Sequence, residues 1–175
     1  NKTLKNNYIV SKILVNPKDE DLIYASTTDG IYRSTDGGDS WEHLLPGHYF
    51  QDLMFKPDDQ NVIYASTSRS QGNVRIFKSA DAGATWKETY MFQSGSRIKL
   101  AVTEANSDYV YALISTRYYN SFGGLYRSTD AGETWELMSN SPNILARDVQ
   151  GKEDSGQGHY DLALEACTQR GEIER

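Results

Sequence analysis

The chain has one cysteine, Cys167, in 175 residues. That excludes a disulfide framework and a cysteine-based zinc site. An excess of basic residues is also missing: 18 Lys and Arg against 24 Asp and Glu leave a formal charge of -6. Nucleic acids and anionic membranes require clustered Lys and Arg, so neither is an expected partner. No apolar run approaches the ~20 residues of a membrane-spanning helix, and no membrane insertion is expected. No stretch keeps a helical apolar period beyond a turn or so. Residues 1–7 are polar and make no secretory leader, and an opening Asn rather than Met leaves room for a leader upstream. Neither a cofactor fingerprint nor a metal-ligand cluster stands out. The residues that are abundant point the other way. Twelve Tyr, 14 Gly and many Ser and Thr describe a β-rich chain with many turns.

All three tryptophans close copies of one motif, S-x-D-x-G-x-[ST]-W. The copies run from Ser34 to Trp41, Ser79 to Trp86 and Ser128 to Trp135. They begin 45 and 49 residues apart, the period of a propeller blade rather than of a helical repeat. The same sequence of strands leads into each. In the first unit Ile9–Val15, Leu22–Thr27, Ile31–Ser34 and Trp41–Leu45 read as strands, with Asn16 to Asp21 and Thr28-Asp29-Gly30 as turns. Gln51–Phe55, Val62–Thr67, Arg75–Lys78 and Trp86–Met91 repeat this. So do Ile98–Val102, Tyr109–Ile114, Gly124–Arg127 and Trp135–Met138. A fourth unit opens at Gly158–Leu164, where Gly158-His159-Tyr160 repeats Gly47-His48-Tyr49.

Four antiparallel strands per unit predict an all-β fold, a β-propeller segment of three blades plus the first strand of a fourth. The expected divisions are a lead-in at 1–7, blades at 8–46, 47–93 and 94–139, a long link at 140–157, and the start of blade four at 158–175. A β-sandwich accounts less well for three identical turns at one period. Known rings take about four to eight blades, so the segment is expected to be completed by further blades of the same protein or by a partner chain.

Each motif is expected to be a turn fastener. The carboxylates of Asp36, Asp81 and Asp130 accept backbone N–H groups one to three residues on. Gly38, Gly83 and Gly132 permit a positive φ. The hydroxyls of Ser34, Ser79 and Ser128 close the loop, and Trp41, Trp86 and Trp135 bury a ring beside it. The ladder of carboxylates that marks a calcium loop is missing.

At these residues the chain resembles the Asp-box, or bacterial neuraminidase repeat, family of β-propellers. The family includes sialidases, xyloglucan-cleaving glucanases and sortilin-type receptors. The resemblance spans residues 8 to about 165 and implies a propeller in a secreted or cell-surface bacterial protein. Residues 156–164 look most like surface-sorted propellers of gliding-type bacteria. One fold of this kind hosts many functions, so activity has to be sought in the loops.

The motifs and the strand one-to-two turns share one end of the strands. The other end carries loops that vary from unit to unit, and function is expected there. Arg117, Tyr118, Tyr119 and Asn120 place a cation and two rings on one loop, a composition suited to sugar or peptide contact; a hairpin tip packed on its neighbour is the alternative. His48 and His159 stand at equivalent starts of innermost strands, where they are candidates for a ligand or for repeated packing. Arg147, Asp148, Lys152, Glu153 and Asp154 read as a solvated charged loop.

Asp29 is the catalytic candidate. Its surroundings resemble the stretch in which xyloglucan-cleaving enzymes carry a catalytic Asp, although the double Gly that follows there is absent and Asp-Gly is also a common hairpin turn. Glycoside hydrolysis needs a second carboxylate, and Asp52 or Asp161 are the in-chain options. A sialidase arginine triad is not assembled by motif. With no complete catalytic set, the favoured reading is a non-catalytic module that serves as scaffold or binds carbohydrate or protein on the face opposite the motifs. The rival is a fragment of a glycoside hydrolase, xyloglucanase- or sialidase-like. A sortilin-like peptide receptor is the third reading, in a class that usually adds a Cys-rich module after the propeller.

Overall fold

The structure is a computed structural model, and it describes residues 8–68, 72–158 and 162–167. Twelve strands form three separate four-stranded antiparallel sheets, each in sequence order. The first holds β1 (Val10–Asn16), β2 (Asp19–Thr27), β3 (Gly30–Ser34) and β4 (Glu42–Pro46). The second holds β5 (Phe50–Lys56), β6 (Asp59–Thr67), β7 (Asn73–Ser79) and β8 (Lys87–Gln93). The third holds β9 (Gly95–Val102), β10 (Val110–Thr116), β11 (Phe122–Ser128) and β12 (Glu136–Ser139). The sheets are propeller blades, and β1, β5 and β9 are the inner strands, with β5 in contact with both β1 and β9.

The apolar clusters lie between blades. Tyr24 and Ile31 of blade one meet Phe50, Leu53, Ile63 and Phe77 of blade two. Tyr64, Val74 and Ile76 of blade two meet Ile98, Leu100, Val110 and Ile114 of blade three. Each such side chain, fully buried, contributes about 1.5–3 kcal/mol by removal from water. Alternation along each strand thus serves both flanks of a blade. Where a flank has no neighbour its apolar residues stay exposed: Ile13 and Val15 of β1 are 49% and 48% exposed, whereas Leu53 at the place of Ile13 is fully buried.

Two details differ from the sequence reading. The turns at Asn16 and Lys56 shrink to two residues, because Asn16 pairs with Asp19 and Lys56 with Asp59. The corresponding link in blade three, 103–109, is longer and is held by Thr103 Oγ1 accepting from Ala105 N and Asn106 Oδ1 accepting from Asp108 N. Of the expected fourth-blade strand, His159, Tyr160 and Asp161 lie outside the described residues. Leu162 is buried against Leu113 and Phe122, but residues 162–167 pair with no strand among the described residues. A strand needs a hydrogen-bonded neighbour, and residues 168–175 lie outside the described residues.

Candidate functional site

The motif end of the molecule is occupied by structure. Asp36 Oδ1 accepts from Ser34 Oγ (2.7 Å) and Ser40 N (2.9 Å), and Oδ2 from Ser40 Oγ (2.5 Å). Ser34 Oγ in turn accepts from Gly38 N at 2.8 Å. Asp81 and Asp130 repeat the pattern with Thr85 and Thr134. The main reach is therefore four residues, longer than the expected one to three. The hydroxyl of Ser40 and its N–H hold the Asp36 carboxyl down at about 2. Thr85 and Thr134 lower Asp81 and Asp130 in the same way. Trp41 Nε1 and Trp86 Nε1 donate to the carbonyls of Gly38 and Gly83, both at 3.0 Å. Trp135 Nε1 reaches Thr89 Oγ1 of the preceding blade at 3.3 Å. Ala82 and Ala131 have positive φ beside Gly83 and Gly132, a second left-handed residue per turn that the sequence did not reveal. Each turn also donates to the start of the second strand of its own blade, or in blade three to the link just before it: Gly37 N to Asp21 O, Ala82 N to Asn61 O and Ala131 N to Asp108 O, at 2.9–3.1 Å.

At the opposite end two loops combine into one surface. The first is the β10–β11 link, Arg117 to Ser121. The second is the long link after β12. Gly156 N donates to Tyr119 O and Gly158 N to Asn120 O, both at 2.8 Å. Asn143 ties them further. Its Oδ1 accepts from Phe122 N (2.8 Å) and Leu145 N (3.2 Å), and its Nδ2 donates to Glu153 O (2.8 Å) and Ser155 O (3.3 Å). Arg117 N donates to Ser94 O at 2.8 Å. The Arg117 guanidinium lies 5.7 Å from the Tyr118 ring centroid and fills the space over Gly72. Tyr118 and Tyr119 remain 75% and 62% exposed, and Ile144 and Val149 of the long link are exposed as well. An open cavity of about 380 Å³ is lined by Ile144, Leu145, Ala146, Arg147 and Gln157. The long link is therefore tied to the rest of blade three by hydrogen bonds, and most of its charges are solvated as expected. Asp148 accepts from Lys152 N and Glu153 N, which lower its carboxyl, while Arg147, Lys152, Glu153 and Asp154 face solvent.

The other candidates separate. Asp29 sits in the β2–β3 turn, half-buried, accepting from Tyr32 Oη at 2.9 Å with His43 Nε2 at 3.8 Å. Tyr32 stacks on His43, ring centroids 4.2 Å apart. Burial first, then the bond to Asp29, raises the Tyr32 hydroxyl, so it stays protonated and donating. Asp52 is fully buried, accepting from Leu100 N (3.1 Å) and paired with Lys99 Nζ (2.9 Å). That removes it as a second carboxylate in a cleft. Asp161 lies outside the described residues, as does His159. His48 packs against Phe50 and Phe77, and burial, then Arg75, lowers its imidazole. Among the described residues no group of three or more His, Cys, Asp or Glu is placed to hold a metal ion.

Residues 4–166 match the Sortilin-Vps10 family, described as sortilin, neurotensin receptor 3. The chain belongs to that family. It is similar to a xyloglucanase of Hypocrea jecorina, 31% identical over 153 residues, which covers 74% of this chain and 18% of that protein. A xyloglucanase of Paenibacillus is 26% identical over 172 residues, covering 76% of this chain and 16% of the relative. Sortilin of Rattus norvegicus is 25% identical over 146 residues, covering 77% and 16%. The chain thus spans less than a fifth of the curated relatives it matches. Among solved structures, an ancestral GH74 enzyme superposes with a TM-score of 0.65 at 23% identity, over 77% of this chain and 19% of that one. The Niastella koreensis GH74 enzyme gives 0.60 at 22% identity, over 75% and 21%. These likenesses agree with the propeller.

The sequence located the Arg117–Asn120 loop but missed the residues that fix it. Asn143 carried no signal, because the partners that tie the loops together, Phe122, Glu153 and Ser155, are 10 to 21 residues away. Tyr32 and His43 were legible in principle, since they pair across β3 and β4.

Proposed function

We propose that this propeller segment contacts carbohydrate through the surface formed by Arg117, Tyr118, Tyr119, Asn120 and the long link, as part of a secreted or cell-surface protein. Two exposed rings beside a guanidinium, on loops fixed by backbone hydrogen bonds, carry the reading. Ring faces suit the apolar face of a sugar, and the guanidinium and Asn amide suit its hydroxyls. Fixed loops reduce the entropy lost on binding. The xyloglucanase relatives support a β-glucan chain as the ligand class and an extracellular setting. The likeness of residues 156–164 to surface-sorted bacterial propellers supports the same setting. Retention of the protein in a native gel containing xyloglucan tests the reading. The Tyr118→Ala, Tyr119→Ala variant is expected to lose that retention while keeping its thermal midpoint. Equal retention of variant and parent would overturn the reading.

A second reading, part of a glycoside hydrolase with Asp29 as acid or base, is supported by the same relatives. Asp29 is on the turn where that resemblance falls, but its carboxylate is engaged by Tyr32. Of the two carboxylates offered by the sequence as its partner, Asp52 is buried in an ion pair with Lys99 and Asp161 lies outside the described residues. Turnover of a β-glucan by the full-length protein, abolished by Asp29→Asn, would establish this reading; an unchanged rate in that variant would remove it.

A further inference from the structure

The flank of blade three that faces away from blade two repeats a contact surface used inside the molecule. At the junction of blades one and two, Tyr24 Oη and Arg33 Nη1 both donate to the carbonyl of Ala82, at 2.9 and 3.0 Å. Ala82 is the residue after the motif Asp. A Cβ on the next residue, Gly83, would stand 2.8 Å from Leu44 and 3.3 Å from the Tyr24 ring. Leu44 is the extra residue of a β-bulge: Ile31 pairs with Leu45, but Tyr32 pairs with His43. The bulge turns its side chain toward the next blade.

The junction of blades two and three shares the ring contact and the bulge but not the carbonyl clamp, since Tyr64 Oη is buried without a hydrogen-bond partner among the described residues. Thr89 is the bulged residue and accepts from Trp135 Nε1. The Tyr64 ring lies against Gly132, and Lys78, at the place of Arg33, binds Glu133 of the motif turn at 2.7 Å.

Blade three carries the same parts with no motif turn seated on them among the described residues, and the Arg127 guanidinium lies 5.5 Å from the Tyr109 ring centroid. Tyr111 stands at the place of Tyr24 and Tyr64, since Ala112, Ala25 and Ala65 follow in register. Arg127 repeats Arg33 down to its Glu partner, Glu136 for Glu42. Met138 is the bulged residue of the β11–β12 ladder and is 45% exposed. Tyr111 also borders a cavity of about 530 Å³ with Tyr109, Leu125 and Leu164. The inner part of this flank is already covered by Leu162, packed on Leu113 and Phe122.

We infer that Tyr111, Arg127 and Met138 form a receptor for one more motif turn, with Tyr111 and Arg127 clamping the carbonyl after its Asp. The occupant is the following blade of the same polypeptide, the one whose inner edge the segment around Leu162 supplies. Relatives five to six times longer than the matched region leave room for it. The inference stands apart from the carbohydrate reading.

Hydroxyl-radical footprinting of the full-length natural polypeptide tests it, with tyrosines inside the same chain as standards. Tyr111 is expected to be oxidised as slowly as the buried Tyr24 and Tyr64, about tenfold more slowly than Tyr118. Oxidation of Tyr111 at the rate of Tyr118 would overturn the inference. Arg127→Leu supplies the second readout. It is expected to lower the thermal midpoint as far as Arg33→Leu does. A shift no larger than that of the exposed control Lys152→Leu would remove the carbonyl clamp, even with Tyr111 protected.

Discussion

Asp130 shows how much a single exposed carboxylate holds together. It accepts from the N–H groups of Glu133 and Thr134, the hydroxyl of Thr134 and the hydroxyl of Ser128. Asp130→Ala leaves these donors without their acceptor, and the expected loss is about 1–3 kcal/mol by chemical denaturation. An unchanged midpoint would remove the fastener role. The same bonds set a pH dependence. The Asp36 carboxyl stands at about 2 in the folded chain against 3.8 for an unperturbed group, and Asp81 and Asp130 are lowered likewise. A depressed folded value means that the unfolded chain takes up protons first as pH falls. The stabilisation is complete above 3.8 and is lost as pH drops toward 2. Thermal midpoints between pH 5 and pH 2 are expected to fall less steeply when all three Asp are replaced by Asn. Parallel curves would contradict the linkage.

Junctions between elements decide which glycines and ion pairs matter. A Cβ at Gly132 would sit 2.8 Å from the Tyr64 ring at a φ of +83°, so Gly132→Ala forces either the turn or the ring to move. Overpacking of this kind costs about 1–3 kcal/mol. Gly47 meets nothing within 4 Å and is the control: Gly47→Ala suffers only its own positive φ, and the smaller loss expected for it is read by the same unfolding experiment. Asp52 and Lys99 join inner strands β5 and β9 across a blade junction. Lys99→Met leaves the Asp52 carboxylate buried with Leu100 N and its own Leu53 N, and a stability loss of about 3–5 kcal/mol is expected in urea unfolding. The motif turns were legible in the sequence because their partners lie within four residues. Asp52–Lys99, Trp135–Thr89 and Tyr24–Ala82 were not, because each crosses a junction of 46 to 58 residues. The bulges at Leu44, Thr89 and Met138 were hidden as well, since the fourth strands are mostly exposed and offer little apolar alternation for a one-residue slip to interrupt. The repeated Tyr and Arg or Lys before each motif were visible and point to the junction once the blades are aligned.

For the whole molecule, the two ends of the strands differ in how they are built. The motif turns are bonded to their Asp carboxylates and to the backbone at or just before the start of each second strand. The opposite end carries the fixed loops with exposed Tyr118, Tyr119, Ile144 and Val149. The division into fixed and variable ends followed from comparing the units with each other. The joining of two loops through Tyr119, Asn143 and Gly156 came only from the fold. Hydrogen exchange of the protein with and without a xyloglucan oligosaccharide tests this division most directly. Slower exchange confined to 116–121 and 143–158, with the three motif turns unaffected, is the expected result. Protection at the motif turns, or none at residues 116–121, would contradict it.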